Sequence, residues 1–362
     1  MSTPHSTRRE FLQGKAAADA LAEVGRSSAS ADELPEPRGD AYLVKVARRA
    51  MACQFEVFLN AGQYPFDTQA ALAALDLVDR LEDQLSVYRE HSEISRLNQQ
   101  AAHEAMVIEP GLFALLEKAL RIHAETGGAY DITAGPLSRV WGFMRRAGAL
   151  PTPEALAAAC QCVGSQWVQL DVNAGTARFM KDGIEINLGS IGKGYALDRC
   201  AEVLEAAGIH DFLLHGGNSS VLARGTHGGL GGEPGWRVGI RNPLRPDRRF
   251  GELLLHDRAL ATSGSGTQFF VHDGRRYGHI LDPRNGWPAD GVLTTSVLAP
   301  TASEADALST AFYVMGPTAA REYCQQHASV SAMMLCSGQR AGSIEKHLFG
   351  LTERDWAELD EP

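Results

Sequence analysis

The sequence predicts an α+β fold with a largely antiparallel sheet packed with helices, and three observations carry that expectation. Short runs of strand character follow one another in hairpin-like succession, first within residues 166–188 and again from 211 to 300. A few helical patterns break that succession, which indicates an α+β arrangement. No internal repeat and no strong interior linker divides the chain, so one domain is expected from about residue 42 to the end.

The elements are justified in order. Ala52 to Leu59, "ACQFEVFL", alternates Cys53, Phe55, Val57 and Leu59 on one face, the pattern of a half-buried strand. Asp67 then caps a helix whose apolar stripe runs Leu75, Val78, Leu81 and Leu85. A second helix starts at Pro110, a residue favoured in the first turn, and runs to about Thr126, where Gly127-Gly128 stops it. Thr152-Pro153-Glu154 opens a third helix with a cap and a first-turn carboxylate. Two strand-like runs, "WVQLDV" and "ARFM", precede a third, "IEINL", with Asn and Gly turns between them. A helix follows Lys193 and ends at Gly208. Strands then succeed one another as "DFLLHGG", "WRVGI", "GELLLH", "RALATSG", "TQFFVH" and "TTSVLAP". Ser303 to Met315 is a helix with Ser303 at its N-cap, followed by a further helix and a last strand, "SAMMLC".

Composition narrows the function classes. The 362 residues are 44% hydrophobic, enough for one large domain or two modest ones. A net charge of −10 argues against general nucleic-acid binding, because no basic stripe is available to replace phosphate counterions. The six cysteines are too few and too scattered for a disulfide scaffold and read as thiols. No run of about 18 apolar residues occurs, so no membrane span is expected. At the N-terminus "STRREFLQG" resembles a twin-arginine export signal, but Lys15, Asp19 and Glu23 interrupt the part that should be apolar, and a solvated amphipathic helix fits almost as well. Residues 26–41 form a polar, Pro-containing linker. The chain therefore divides into a signal-like segment with its linker, 1–41, and a folded domain, 42–362.

Several stretches carry candidate chemistry. "LGSIGKGYALD" (Leu188 to Asp198) is glycine-rich beside Lys193, but two residues separate Gly189 from Gly192 and Gly194 follows the lysine, so it is not a Walker loop. In "SEADALSTAFYVMG", Asp306 and Thr310 are four residues apart and leave the same helical face as an oxygen-only pair, which suits a hard cation such as Mg²⁺. In "GHILDPRNGWPAD", His279 stands three residues before Asp282. That spacing fits a base with its orienting carboxylate, and equally a surface turn whose Asp caps its own backbone. "ETGGAYDITAGPL" sets Asp131 in a Gly-rich loop able to approach a ligand closely. Tyr88, in "LSVYREHSEISRLN", is suited either to stacking on a planar ring or to plain packing. "LLHGGNSS" and "ALATSGSG" read as strands ending in small residues, consistent with the walls of a cleft.

Taken in order, "SVYREHSEISRLN", "TGGAYDITAGPL", "INLGSIGKGYALD", "LLHGGN", "GWRVGI", "ATSG", "HILDPRNG" and "ADALSTAFYVMG" resemble the FAD:protein FMN transferase family, the ApbE-type flavin transferases, from about Met51 to Gly316 and beyond. The resemblance implies a Mg²⁺-dependent enzyme that splits the diphosphate of FAD, its substrate. The FMN half goes to a Thr or Ser hydroxyl of an acceptor protein, a redox membrane or periplasmic protein, and AMP is released. It implies metal-ligating roles for Asp306 and Thr310, with Ser190 as a third ligand through its backbone carbonyl. Met51, Tyr88, Ala129, Tyr130, Asp131, Asn187, Lys193 and Leu281 match positions that hold FAD. His279 and Asp282 belong to the motif nearest the chemistry, with His279 the candidate base and Asp282 its orienter or replacement. The chain departs from the family pattern at Asn187, where Asp is usual, at Ser309, where some relatives carry a second Asp, and at Asn218, where an acidic residue is frequent. The family's usual place implies the periplasmic side of a bacterial inner membrane; the imperfect signal leaves the cytoplasm open. Hydrolysis of FAD to FMN and AMP, or FAD binding without turnover, are the alternative functions.

Overall fold

Eight strands build the central sheet; the first alternates exposed and half-buried residues, whereas the inner ones are buried on both faces. The eight are β1 (Leu43–Ala50), β2 (Cys53–Asn60), β3 (Phe212–Gly216), β4 (Ser220–Arg224), β5 (Ala259–Gly264), β6 (Val292–Ala299), β7 (Ser331–Ser337) and β8 (Ile344–Phe349). They lie side by side in chain order, and every neighbouring pair is antiparallel. Successive side chains point to opposite faces, so the core is split in two. Leu214, Ala259, Ala261, Val297, Ala332 and Met334 face the helices, whereas Leu213, Leu260, Leu298, Met333 and Leu335 face the other way. There a three-stranded sheet of Trp236–Arg241, Arg249–Leu255 and Trp356–Glu358 supplies Trp236, Val238, Ile240, Leu253 and Leu255 as cover. This architecture, described by a computed structural model over residues 42–358 apart from 146, 229–232, 267, 341 and 353–354, is the α+β fold expected from the sequence. The twin-arginine-like stretch and its linker lie outside the described residues.

Seven helices occur among the described residues: α1 (Asp67–Leu85), α2 (Glu93–Gln100), α3 (Pro110–Glu125), α4 (Gly135–Val140), α5 (Pro153–Gln161), α6 (Gly192–Ala206) and α7 (Ala302–Gln326). The stripe of α1 is buried as expected, at Leu75, Val78, Leu81 and Leu85. Its start differs: Phe66, in the left-handed region at φ 65°, holds the N-cap position, and Asp67 is the first helical residue. The Asp67 carboxylate accepts from the adjacent Thr68 backbone N–H, so it no longer caps the turn beyond. Thr152 caps α5 as expected, accepting from the Ala155 N–H at 3.2 Å.

Helix α7 lies against β5, β6 and α6. Thr301, not Ser303, is its N-cap, because the Thr301 hydroxyl accepts from the Glu304 N–H. Gly316, at φ 78°, followed by Pro317, breaks α7 into the two helical pieces that the sequence separates after Met315.

The run "IEINL" is a correction. Residues 184–188 belong to no strand. The Asn98 side chain takes the place of a neighbouring strand, accepting from the Ile186 N–H at 2.8 Å and donating to the Ile186 carbonyl at 2.9 Å. An amide side chain thus satisfies both backbone groups that a ladder would have paired.

Candidate functional site

The site is assembled where α6, α7 and the strand ends β4 and β5 meet. The first turn of α6 carries Lys193 and Gly194, and the second turn of α7 carries Asp306. A Cβ on Gly194 would stand 2.1 Å from the Ala302 carbonyl oxygen, so glycine is what lets the two helices approach this closely. The approach brings the Gly194 N–H to Asp306 Oδ2 at 3.1 Å and Lys193 Nζ to the same oxygen at 3.7 Å. The Ser220 hydroxyl, from β4, donates to Asp306 Oδ1 at 3.2 Å.

Asp306 is 5% exposed, and burial pushes its carboxyl above the ordinary aspartate range against the opposing pull of Lys193, Gly194 and Ser220. One turn on, the Thr310 hydroxyl meets Ser263 of β5 at 3.2 Å, and Ser263 also meets Ser309 at 2.8 Å. The Ser309 hydroxyl turns back to the Asp306 carbonyl at 2.9 Å. The donor set is therefore a buried carboxylate, neutral hydroxyls and backbone oxygen. A carboxylate buried this deeply, with its nearest ammonium at 3.7 Å, fits a small divalent cation of the Mg²⁺ type. Ser190, the third expected ligand, lies in the loop that opens α6 and donates its hydroxyl to the buried Tyr130 phenol at 3.4 Å.

His279 leaves the end of the hairpin formed by Phe269–His272 and Arg275–Gly278. Its Nδ1 faces the Gln268 carbonyl at 3.1 Å, and its own N–H donates to that carbonyl. Burial lowers its basicity, outweighing that hydrogen bond, and Lys193 lowers it further. The ring is thus neutral near neutral pH, the form that takes up a proton. Asp282 does not orient it. Its carboxylate is taken by Arg284, with Nε to Oδ1 and Nη2 to Oδ2 both at 2.8 Å, and by the Asn285 amide at 3.2 Å. It also accepts from the Arg284 backbone N–H, so the turn-capping reading of Asp282 is the one the structure bears.

The expected flavin positions separate into groups. Met51, Tyr88, Asn187 and Lys193 line one cavity of about 210 Å³, joined by Ala52, Glu82, Leu85, Ser86 and Val87. Met51 and Ala52, with φ of 48° and 58°, form the two-residue turn between β1 and β2; such turns normally call on Asn or Gly, and the strained backbone projects Met51 into the cavity wall. Tyr88 is 71% exposed at the rim. The Asn187 side-chain Oδ1 accepts from the Gly189 N–H at 2.9 Å and shapes the loop before α6.

Asp131 turns away from this cavity. Its carboxylate accepts from the N–H and hydroxyl groups of both Thr133 and Ser165, and His123 Nδ1 lies 3.2 Å from it. Those donors hold it below the usual carboxylate range in spite of burial, the largest opposing influence. Asp131 thus anchors the loop that carries Ala129 and Tyr130, both 1% exposed. Leu281 packs with Leu137, Trp141 and Tyr277 in a satellite core beneath the His279 hairpin. Gly194 reads in the sequence as one of the glycines of the Lys193 loop, whereas Ser220, Ser263 and Gln268 were not singled out there. Two of them sit in the strand ends "LLHGGNSS" and "ALATSG", where small residues signalled a cleft wall without marking which hydroxyl faces it.

A family model described as the ApbE family matches residues 51–334. An FAD:protein FMN transferase of Klebsiella pneumoniae is 33% identical over 273 residues, covering 74% of this chain and 76% of its own. One from Haemophilus influenzae is 33% identical over 295 residues, covering 79% and 84%. The crystal structure of an ApbE protein from Thermotoga maritima superposes with a TM-score of 0.75 at 28% identity, covering 84% of this chain and 97% of that one. The flavin transferase ApbE from Vibrio cholerae gives 0.74 at 26%, covering 86% and 98%. With the match spanning the cavity, the Lys193 loop, the hairpin and the first turns of α7, the chain belongs to the ApbE family.

Proposed function

We propose that the chain transfers the FMN half of FAD to a Thr or Ser hydroxyl of an acceptor protein and releases AMP, with Mg²⁺ as the metal. The observation that carries the reading is the meeting of Lys193 with the buried Asp306 beside the Met51–Tyr88 cavity. Both named relatives described above by sequence are FAD:protein FMN transferases, which supports the same reading.

The residues divide the work. The cavity takes a flat ring between Met51 and Tyr88, and the Lys193 loop leads from it to the metal ligands Asp306, Thr310 and the Ser190 carbonyl. A bound Mg²⁺ supplies charge neutralisation on the diphosphate. Lys193 adds a positive charge beside the same group. His279 accepts the proton of the acceptor hydroxyl as its oxygen attacks the phosphorus of the FMN half. The new oxygen–phosphorus bond replaces the bond to the bridging oxygen, which departs with AMP. Residues 42–362 form the catalytic unit. The twin-arginine-like segment directs the chain to the periplasmic side of the inner membrane, where a redox protein is the acceptor, and an export-reporter fusion of residues 1–41 tests that placement.

The decisive experiment incubates the protein with FAD, Mg²⁺ and a Thr-containing acceptor, then reads the acceptor by in-gel flavin fluorescence after denaturation and by mass spectrometry. The expected result is an FMN-sized mass increment on one Thr or Ser, with equimolar AMP. AMP without a labelled acceptor makes the protein a diphosphatase instead, and bound FAD with no AMP makes it a binding protein.

A further inference from the structure

The N-terminus of α7 is held by more than its own cap. Asp198, on α6, accepts from the Ala302 N–H at 2.6 Å through Oδ1, and from the Ser303 N–H at 2.9 Å through Oδ2. The Ser303 hydroxyl donates to the same Oδ2 at 2.6 Å. That hydroxyl in turn accepts from Lys118 Nζ, on α3, at 2.7 Å, and Lys118 also reaches the Thr301 hydroxyl at 3.3 Å. Ser303 is fully buried. Three helices therefore converge on the turn immediately before Asp306.

We propose that Asp198, supported by Lys118 through Ser303, is a positioning residue for the metal ligands of α7. Asp306 lies three residues beyond Ser303, close to one helical turn, so the screw position of that first turn decides where the carboxylate points. Helix α6 grips α7 at two places, at Asp306 itself through Gly194 and Lys193, and at the N-terminus through Asp198. A cation held by Asp306 would draw on the same carboxylate that accepts from Gly194 and Ser220, whereas the Asp198 contacts lie on other groups of α7 and would hold the helix independently of it. Groups that orient a metal ligand in this way govern affinity without touching the ion. This inference rests on the metal site of the proposed function.

A plain helix-stabilising role is the competing account, and it moves stability alone. The test titrates Mn²⁺, a paramagnetic stand-in for Mg²⁺, into the full chain and reads free ion by electron paramagnetic resonance, with Mg²⁺ competition. It compares wild type with Asp198→Asn, Asp198→Ala, Lys118→Met and Ser303→Ala, each held well below its own unfolding temperature. The Asp198 variants are expected to weaken Mn²⁺ binding by about 10-fold or more, as outer-shell substitutions do. Lys118→Met and Ser303→Ala are expected to weaken it in the same direction by a smaller factor, with FAD affinity in metal-free buffer unchanged. If the Asp198 variants do not fold, the Lys118 and Ser303 variants carry the comparison. Unchanged Mn²⁺ affinity in folded variants, with only a lower unfolding temperature, overturns the positioning role and leaves the proposed function standing. A wild-type chain that binds no Mn²⁺ overturns both.

Discussion

His279 and Asp282 are close in sequence yet do different things. His279 is oriented by a backbone carbonyl and kept neutral by burial, whereas Asp282 ties its own turn through Arg284. As the proposed base, His279 works while unprotonated, and burial lowers its pKa below the ordinary histidine value. The rate of transfer should therefore hold from neutral pH down past about 6.5, the usual histidine pKa, and fall only at lower pH. His279→Ala should lower kcat by about 10²–10⁴-fold and remove that acid limb from the profile. Asp282→Asn should leave the limb where it is and lower stability by about 1–3 kcal/mol, the range for disrupting a buried hydrogen-bonded carboxylate; thermal unfolding beside the pH profile separates the two. Residue types were legible at this scale because Asp306, Thr310, Lys193 and His279 stand in short patterns with chemical meaning. Which way a side chain faces was not. Asp131 looks free in its own loop, and its partner Ser165 arrives from 34 residues away.

The helices and strands were read best where they satisfy themselves and worst where another element completes them. The stripe of α1 and the cap of α5 follow from local rules. The run Ile184–Leu188 has strand composition but finds Asn98 in place of a strand, a pairing that no local pattern announces. Gly194 is the sharpest case. It reads as part of a phosphate-like loop, and its requirement comes from the Ala302 carbonyl of a helix more than a hundred residues away. Gly194→Ala should cost about 1–3 kcal/mol or more, as overpacking does, and should displace Asp306 as well. Denaturant unfolding together with Mn²⁺ titration checks both effects.

The His123–Asp131 contact that braces the Tyr130 loop sets a pH window of its own. His123 is raised, mainly by its bond to Asp131, and Asp131 is lowered by its donors. The histidine contribution is full below about pH 6.5 and disappears as pH rises through the raised value. The aspartate contribution is present above about pH 3.9 and is lost as pH falls through the lowered value. Unfolding of His123→Gln against wild type should therefore show its largest stability difference between those limits and a smaller one at alkaline pH.

At the scale of the whole molecule, the α+β class was legible because the strands of the central sheet follow one another in chain order, although hairpins that belong to other sheets interrupt the succession. The second, three-stranded layer was not, since Trp356–Glu358 joins Arg249–Leu255 from the far end of the chain. A ligand that binds only the folded form stabilises it by mass action. FAD with Mg²⁺ at 100 times the dissociation constant should add about 2.7 kcal/mol to the unfolding free energy. Differential scanning calorimetry with and without the pair reads this directly, and no shift removes FAD as a ligand.

The chain-ordered sheet also bears on how the protein comes into being. Its neighbours are joined by connections of very different length, and the longest separates β2 from β3 by residues 61–211, which include α1 to α6. Closing so long a loop carries the largest chain-entropy cost of any junction in the sheet. The seam is also where the site comes together: Phe55, four residues after Met51, pairs with Gly216, and the intervening excursion brings Tyr88, Asn187 and Lys193 to the same cavity. The cavity walls therefore come together only when this junction closes, whereas the carboxylate of Asp306 reaches Lys193 and Ser220 only once α7 has packed on α6, so cavity and carboxylate depend on different junctions of one sheet.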